Sequence, residues 1–306
     1  MTMISFYTSQ IVQLRRGNAG QAAILFLTTV SAILVLVFST ISVAHLGMEK
    51  IASANAVDAI ALSAATWEAR GLNLIASLND GILQCFRVIR WICVVWAALA
   101  VAACFGAGIP AFNAYSQRAP GMIRSYWNCA KQLEGWAQEV KTLTPCLVLA
   151  ETASLSRKLN VTGILTPVDP RGPHDGKNTL ELHLKQGPPL LLADALSPIT
   201  SIAAQIAKWK WAKNLARMVT TVIDTALRSI LGMGGAPIRM LEPEEDFSRR
   251  QKVRFAGYKS VSALPIPYLN SSVTHRFPME SYAEPYGGGA VEMNWKSRMT
   301  EKPEIQ

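Results

Sequence analysis

The sequence predicts a mainly α-helical membrane protein with a small β-containing C-terminal part. Half of the 306 residues are hydrophobic, only 17% are charged and the mean hydropathy is +0.20, a balance that is unusual for a cytosolic globule and ordinary for a chain with a membrane span. Only six Lys/Arg and four Asp/Glu residues precede position 111, although the whole chain carries a formal charge of +9. Five cysteines are too few for a disulfide framework to dominate the fold.

The first predicted element is a transmembrane helix over residues 22–46, which follows a basic segment, 1–21. No charged residue occurs between Arg16 and Glu49, and 25 helical residues rise about 37 Å against roughly 30 Å of bilayer hydrocarbon. A signal peptide is the alternative, but the apolar run is longer than the usual signal core. The side chains expected to anchor the helix in lipid are Ala22, Ile24, Phe26, Leu34, Phe38 and Leu46.

An Ala-rich helix over residues 47–83 is predicted to continue this span beyond the membrane. Its apolar residues recur with a helical period, and Gly71 is its one weak point, at a cost of about 1 kcal/mol relative to alanine. Small residues on one face let helices approach closely. The packing residues are expected to contact either other copies and partners or the rest of this chain, and they are Ala54, Val57, Ala61 and Ala65.

A second hydrophobic helix is predicted within residues 84–110. Residues 91–109 carry no charge, Trp91 and Trp96 suit a headgroup boundary, and Pro110 is expected to end the helix. The alternatives are a buried core helix and a re-entrant hairpin. Because a second span would return the chain to the side from which it started, the location of residues 111–306 stays open.

The polar remainder is predicted to be mainly helical over 111–235, with a turn and strand insert at 163–192. Thr144 and Pro145 resemble the start of a new helix, and residues 179–185 alternate as a strand does. Residues 197–231 form an amphipathic pattern, either a core helix with a solvated basic face or a helix on a membrane surface. A linker and short strands are expected in 236–306.

Motifs of catalysis are missing from the sequence. It has no phosphate-binding loop, no HExxH, CxxC or GxSxG motif and no dinucleotide fingerprint. His174, Asp175 and His183 lack metal-ligand spacing and are expected to be surface residues. We therefore expect no enzyme activity, cofactor, metal, small-molecule substrate or nucleic-acid partner. Cys129 and Cys146 are a candidate disulfide if they lie outside the cytoplasm.

Two parts of the sequence carry a more specific pattern. RRGNAGQAAILFL at 15–27, the span ending His45-Leu46-Gly47 and NAVDAIALSAATWEARGLNLIASLN at 55–79 occur in order. This succession resembles the N-terminal region of the TadE/TadG-like proteins of bacterial Flp (tight-adherence) pilus-assembly systems. AEPYGGGAVEMNWKSRM at 283–299 is similar to the closing strand of a TadG-like subgroup. The middle of the chain is not covered by the resemblance.

The resemblance implies a non-enzymatic, pseudopilin-like or scaffold component of the bacterial inner membrane, with its N-terminus in the cytoplasm, as Arg15 and Arg16 also favour. Its partners would be the lipid bilayer and other pilus-assembly membrane proteins or copies of itself. Type IV pilins carry a glutamate at the fifth position after their cleavage site. If Gly20 were that site, the position would hold Leu25, which argues against a major pilin. A two-span membrane protein with a binding or regulatory domain unrelated to pili is the alternative.

Overall fold

The computed structural model describes residues 18–106, 108–167, 182–190, 237–244, 251–262 and 274–301, with a few single positions between 208 and 247. The described chain is mostly helical with a small β part toward its C-terminus, as the sequence predicts. Two long helices lie in this described part of the chain, α1 (Asn18–Cys104) and α2 (Ile109–Leu159). The described strands are β1 (Thr162–Pro167), β2 (Leu184–Leu190), β3 (Ile238–Pro243), β4 (Val253–Ser262), β5 (Thr274–Tyr286) and β6 (Lys296–Thr300).

Helix α1 is one uninterrupted element of 87 residues. The continuation of residues 22–46 into 47–83 therefore takes the helical form that the sequence predicts. The expected second helix at 84–110 is different, because residues 84–104 are the C-terminal end of α1 itself and not an element of their own. Two antiparallel spans of one bilayer would need a chain reversal between residues 46 and 91, and α1 contains none.

A tight glycine turn ends α1 and starts α2. Gly106 and Gly108 have φ values of 79° and 91°, a left-handed conformation that glycine adopts without the steric cost of a Cβ. The N–H of Gly106 donates to the Ala103 carbonyl at 3.1 Å. Pro110 follows in the first turn of α2, where its missing N–H is tolerated. The prediction that Pro110 ends the hydrophobic helix was therefore wrong, since α1 ends at Cys104 and Pro110 lies in the first turn of α2.

The second correction concerns Thr144 and Pro145, which lie inside α2 instead of starting a new helix. The Thr144 hydroxyl donates to the Val140 carbonyl of the preceding turn at 2.7 Å, so it bonds backward within α2 and does not cap a following helix. Tertiary packing explains the continuity, because Thr144 is buried and Val148, one turn further, is fully buried.

The strands form two sheets. One has four strands in the order β1-β4-β5-β6, and the other pairs β2 with β3 antiparallel. The predicted strand at 179–185 overlaps β2 only at its end, because β2 runs from Leu184 to Leu190, with an irregularity in its register between Gln186 and Pro189. Prolines are tolerated there because both strands of a two-stranded sheet are edges. The linker and short strands expected in 236–306 begin with β3, which runs from Ile238 to Pro243.

Two compact units make up the chain. The first comprises Met1–Ala59, Ser156–Ile164 and Ala256–Glu280, and the second Ile60–Leu155, Leu165–Phe255 and Ser281–Gln306. Within the second unit, α1 and α2 pack antiparallel around a core that also holds Val219 and Ile238. Val219 belongs to the predicted 197–231 helix, most of which lies outside the described residues. Its burial favours the core-helix interpretation, and the exposed Arg217 and Arg228 agree with a solvated basic face.

Candidate membrane-contact and assembly surfaces

The N-terminal part of α1 presents apolar side chains that no described part of the chain covers. Every residue from Gln21 to Ile41 is exposed, and α1 is long and apolar enough to cross a membrane. Of the predicted anchor residues, five are exposed and Leu46 is half-buried. The exposed ones are Ala22, Ile24, Phe26, Leu34 and Phe38. An exposed apolar helix of this length near the N-terminus is typical of a membrane span or of a signal sequence.

Burial along α1 becomes periodic at Ser53, which is 1% exposed. From there to Ala100 the buried residues recur every three or four positions, so one face of the helix is covered. The predicted packing residues lie at the start of this face. Val57, Ala61 and Ala65 are buried and Ala54 is half-buried. Because this chain itself buries them, the contact inside the chain, one of the two alternatives left open by the sequence, is the one that the structure shows.

Two asparagine side chains of α1, Asn73 and Asn79, form hydrogen bonds with the backbone of other segments, both as donors and as acceptors. The Asn73 side-chain amide donates to the Trp295 carbonyl at 3.0 Å, and the Trp295 N–H donates back to Asn73 Oδ1 at 3.0 Å. Asn79, fully buried, donates to the carbonyls of Leu241 at 2.8 Å and Ala290 at 2.6 Å. Such amides satisfy backbone groups that would otherwise be buried without partners. They fix loop and strand segments to α1.

The segment 283–299 forms the hairpin of β5 and β6 and the loop between them. Gly287 and Gly288 have φ values of 74° and 73°, and a Cβ on Gly288 would lie 2.6 Å from the Trp295 ring. Arg298 donates through two nitrogens to Glu284 Oε1 at 2.8 and 2.6 Å, directly across the strand pair. Since Glu284 is buried, this charge-assisted pair holds the hairpin closed.

Contacts join the two segments that carry the family resemblance. Besides the Asn73–Trp295 amide pair, the hydroxyls of Thr66 and Ser297 lie 2.8 Å apart. Trp295 also packs on Phe247, with ring centroids 4.9 Å apart. Segments 55–79 and 283–299 are thus parts of one structural site, which the sequence marks by its pattern alone and without any indication that they touch.

A buried carboxyl lies on the same face of α1. Glu68 is 3% exposed and hydrogen-bonds Gln251, whose Oε1 accepts from the backbone N–H of His183 at 3.0 Å. Among the described residues, Glu68 Oε2 has no hydrogen-bond partner. Desolvation raises the pKa of Glu68 to about 8, although the Gln251 hydrogen bond opposes the rise. Sequence reasoning missed this group, because a single glutamate in a helix gives no sign of burial.

The first unit carries an ion pair and an open groove. Lys259 Nζ lies 3.0 Å from Glu49 Oε2, and both side chains are partly exposed. Arg276 lies 5.5 Å from the centroid of the Tyr258 ring. The groove of about 370 Å³ is mostly apolar, and its lining residues are Thr162, Gly163, Ile164, Ala256, Gly257, Tyr258, Pro278, Met279 and Glu280. No cluster of titratable groups in it suggests chemistry.

The predicted Cys129–Cys146 disulfide is excluded by the fold. Both cysteines are exposed thiols on α2, where a separation of 17 residues corresponds to about 25 Å, against a limit near 7 Å between bridged Cα atoms. The two cysteines lie on one helix because α2 continues through Pro145, where a new helix was predicted to start. The Cys129 side chain instead hydrogen-bonds that of Cys85 on α1.

Metal-ligating residues do not cluster in the described part of the chain, where no group of three or more His, Cys, Asp or Glu side chains has suitable geometry. His174 and Asp175 lie outside the described residues, and His183 Nδ1 is 3.1 Å from Gln251 Oε1. Comparison with protein-family models, curated proteins and solved structures finds no match.

Proposed function

We propose that this chain is a membrane-anchored, non-enzymatic assembly component of a Flp/Tad-type pilus or a related secretion machine, in a pseudopilin-like or scaffold role. The observation that carries the proposal is the bare apolar rod of α1, residues 21–41, continuous with a helix whose later face is covered by its own chain. The proposed family assignment rests on the resemblance of segments 15–27, 55–79 and 283–299.

The bilayer is the first proposed partner of this rod. The exposed stretch has the length of the hydrocarbon core, and a single helix satisfies its own backbone groups there. With Arg15 and Arg16 on the cytoplasmic side of the inner membrane, and no reversal in α1 after the span, the remaining chain lies outside the cytoplasm. Because residues 91–104 continue α1, a second span in the same bilayer is not part of the proposal.

Other pilus-assembly membrane proteins, or further copies, are the second proposed partners. The buried residues Ser53 and Ala61 cannot report such contacts, since this chain already covers them. The exposed side chains of α1 can report contacts with partners, and they include Leu36, which is 68% exposed, and Val43, which is 67% exposed. Their distribution along the rod favours lateral contacts within the membrane.

Photo-crosslinking in the native cells tests both partners. A photoreactive amino acid at Leu36 is expected to give protein adducts that mass spectrometry identifies as pilus-assembly membrane proteins or as copies of this chain. The matched control carries the same group at Val57, which is 1% exposed, and is expected to give no intermolecular adduct.

Alkaline carbonate extraction of the same cells separates the two parts of the proposal. Retention in the pellet together with protein adducts supports both parts. Retention without any protein adduct contradicts the assembly role and favours a membrane-anchored binding domain unrelated to pili. Release of the chain as a soluble monomer contradicts the membrane anchor itself.

A further inference from the structure

A pair of thiols joins the two long helices in the second unit. Cys85 on α1 is 7% exposed, Cys129 on α2 is exposed, and their side chains are hydrogen-bonded to one another. Neither thiol has a part in the anchor or in the proposed assembly surface. From the sequence, Cys129 had a different candidate partner, Cys146, and Cys85 was not singled out.

The register of the helices holds these two side chains face to face. On one side of the pair the Phe86 and Trp127 rings are 5.7 Å apart, edge to face. On the other side a Cβ on Gly81 would lie 3.1 Å from the Leu133 side chain. Because the two helices are antiparallel, residues further along α1 face residues earlier in α2. Cys85 and Cys129 therefore lie between the Gly81–Leu133 contact and the Phe86–Trp127 contact. The surrounding side chains are buried, so the pairing is fixed by packing.

Pairings within one helix are excluded by distance among the described cysteines, and the register of the helices places Cys93 near Gly121 and Cys104 near Pro110, away from Cys129 and Cys146. Cys146 lies about 25 Å along α2 from Cys129. Cys93 and Cys104 lie on α1 with Cys85, at separations of roughly 12 and 28 Å, beyond the reach of a disulfide. Cys85 and Cys129 are therefore the pair that the fold selects.

We propose that Cys85 and Cys129 form a disulfide that locks the α1–α2 hairpin once the chain has been exported. This inference rests on the outward orientation in the proposed function, because disulfides persist in oxidising compartments outside the cytoplasm. The oxidant is a protein disulfide of the thiol–disulfide oxidoreductase class. One Sγ–Sγ bond forms and two S–H bonds break, while the oxidant's S–S bond breaks and takes up the two electrons and two protons to become a dithiol.

The solvent exposure of the two thiols decides which of them reacts with the oxidant first. Cys129 is accessible and forms the mixed disulfide with the oxidant. Desolvation and the hydrogen bond to Cys129 raise the pKa of the Cys85 thiol to about 11, so Cys85 is not the first attacking thiolate. Cys85 then attacks the Cys129 sulfur, loses its proton and releases the reduced oxidant.

Counting reactive thiols in the full-length protein tests the bond. Native cells are quenched with acid, the chain is denatured, and a heavy maleimide is added with or without prior reduction. Of the five cysteines, three are expected to react before reduction and five after it. Cys85→Ser and Cys129→Ser should each give four reactive thiols in both conditions. The matched control Cys146→Ser should give two before reduction and four after it.

Peptide mapping identifies the bridged residues and is expected to return one linked peptide containing Cys85 and Cys129. Five reactive thiols without reduction, or a linked peptide with a different pair, overturns the proposal. Oxidation of permeabilised membranes with copper–phenanthroline, as a second experiment, shows whether a missing bond is due to the geometry of the thiols or to the orientation of the chain in the membrane. Bond formation there, with five reactive thiols in cells, means that the geometry is right and the outward orientation is wrong. Failure in both arms refutes the geometry and leaves the photo-crosslinking result at Leu36 untouched.

Discussion

At the scale of single residues, the most informative position is the buried Glu68. Its carboxyl has a pKa of about 8 against an ordinary 4.5, because burial penalises the charged form. A neutral carboxyl at physiological pH needs no counter-ion, which is why Gln251 is a sufficient neighbour. The helix face that carries Glu68 thus stays uncharged although the sequence shows an acid there.

The raised pKa of Glu68 predicts that stability falls as pH rises. Below pH 4.5 both the folded and the unfolded chain bind the proton. Between about 4.5 and 8 only the folded chain holds it, so the unfolded state is progressively favoured as pH increases. The loss across this window is of the order of a few kcal/mol. Glu68→Gln is expected to flatten the fall in thermal midpoint between about pH 5 and 8, measured on the detergent-solubilised chain.

The control for the Glu68 prediction is Glu139→Gln, because Glu139 is exposed on α2 and its change should leave the slope as in the wild type. A Glu68→Gln variant with the unchanged pH slope would show that the Glu68 carboxyl does not titrate differently in the folded chain. The idea of an uncharged, buried Glu68 would then fail.

At the scale of elements, the contact between α1 and α2 depends on the absence of a side chain at Gly71. A Cβ there would lie 2.5 Å from both Cγ2 and Oγ1 of Thr144. The sequence shows Gly71 only as a weakness in a helix, worth about 1 kcal/mol. The structure gives the compensation, because glycine lets the buried Thr144 turn of α2 approach closely.

Gly71→Ala is therefore expected to destabilise the chain by about 1–3 kcal/mol, since overpacking outweighs the gain in helix propensity. In a Thr144→Ala background, which removes both clashing atoms, the same change should become neutral or stabilising. Gly135→Ala in α2 is the control, since a Cβ there would meet no atom of another described segment within 4 Å. Thermal midpoints of the four variants and the wild type measure the coupling. Equal effects of Gly71→Ala in both backgrounds would contradict the contact.

Prolines and glycines show how far the sequence predicts these elements. The apolar period in α1 predicted its helical form correctly from 22 through 83, because burial of one face leaves a repeat in the sequence. The ends of the helices were predicted less well. Helix α1 ends at Cys104, Pro110 lies in the first turn of α2, and Pro145 lies within α2. A proline is compatible with a helix start, interior or end, and only the packing of neighbouring elements selects one of these.

At the scale of the whole molecule, membrane sidedness is the property on which the proposed function depends. In the proposed orientation, Arg15 and Arg16 hold the N-terminus in the cytoplasm. The chain then crosses the membrane once, and because α1 does not reverse after the span, the polar part lies outside the cytoplasm. Two spans would return it to the cytoplasm. The two topologies therefore differ in the accessibility of the same residues.

Cysteine labelling of intact cells distinguishes the topologies. In a variant without native cysteines, Ser260→Cys is expected to react with a membrane-impermeant maleimide, since Ser260 is exposed and outside the apolar segment. Ser9→Cys should react only after permeabilisation. Protection of both Ser9→Cys and Ser260→Cys in intact cells would indicate two spans, and labelling of Ser9→Cys alone would indicate an inverted single span. Either result overturns the proposed single-span orientation.

The sequence by itself determined the apolar helix predicted at 22–46, its helical continuation and the small β part, because these follow from local hydrophobicity and from the period of the apolar residues. It also marked segments 55–79 and 283–299 by resemblance. Only the tertiary structure decided that Asn73 binds Trp295, that Cys85 faces Cys129, and that Ala61 and Ala65 are covered by their own chain. Such contacts join residues distant in sequence, and their geometry depends on how the helices and strands pack, which no local pattern encodes.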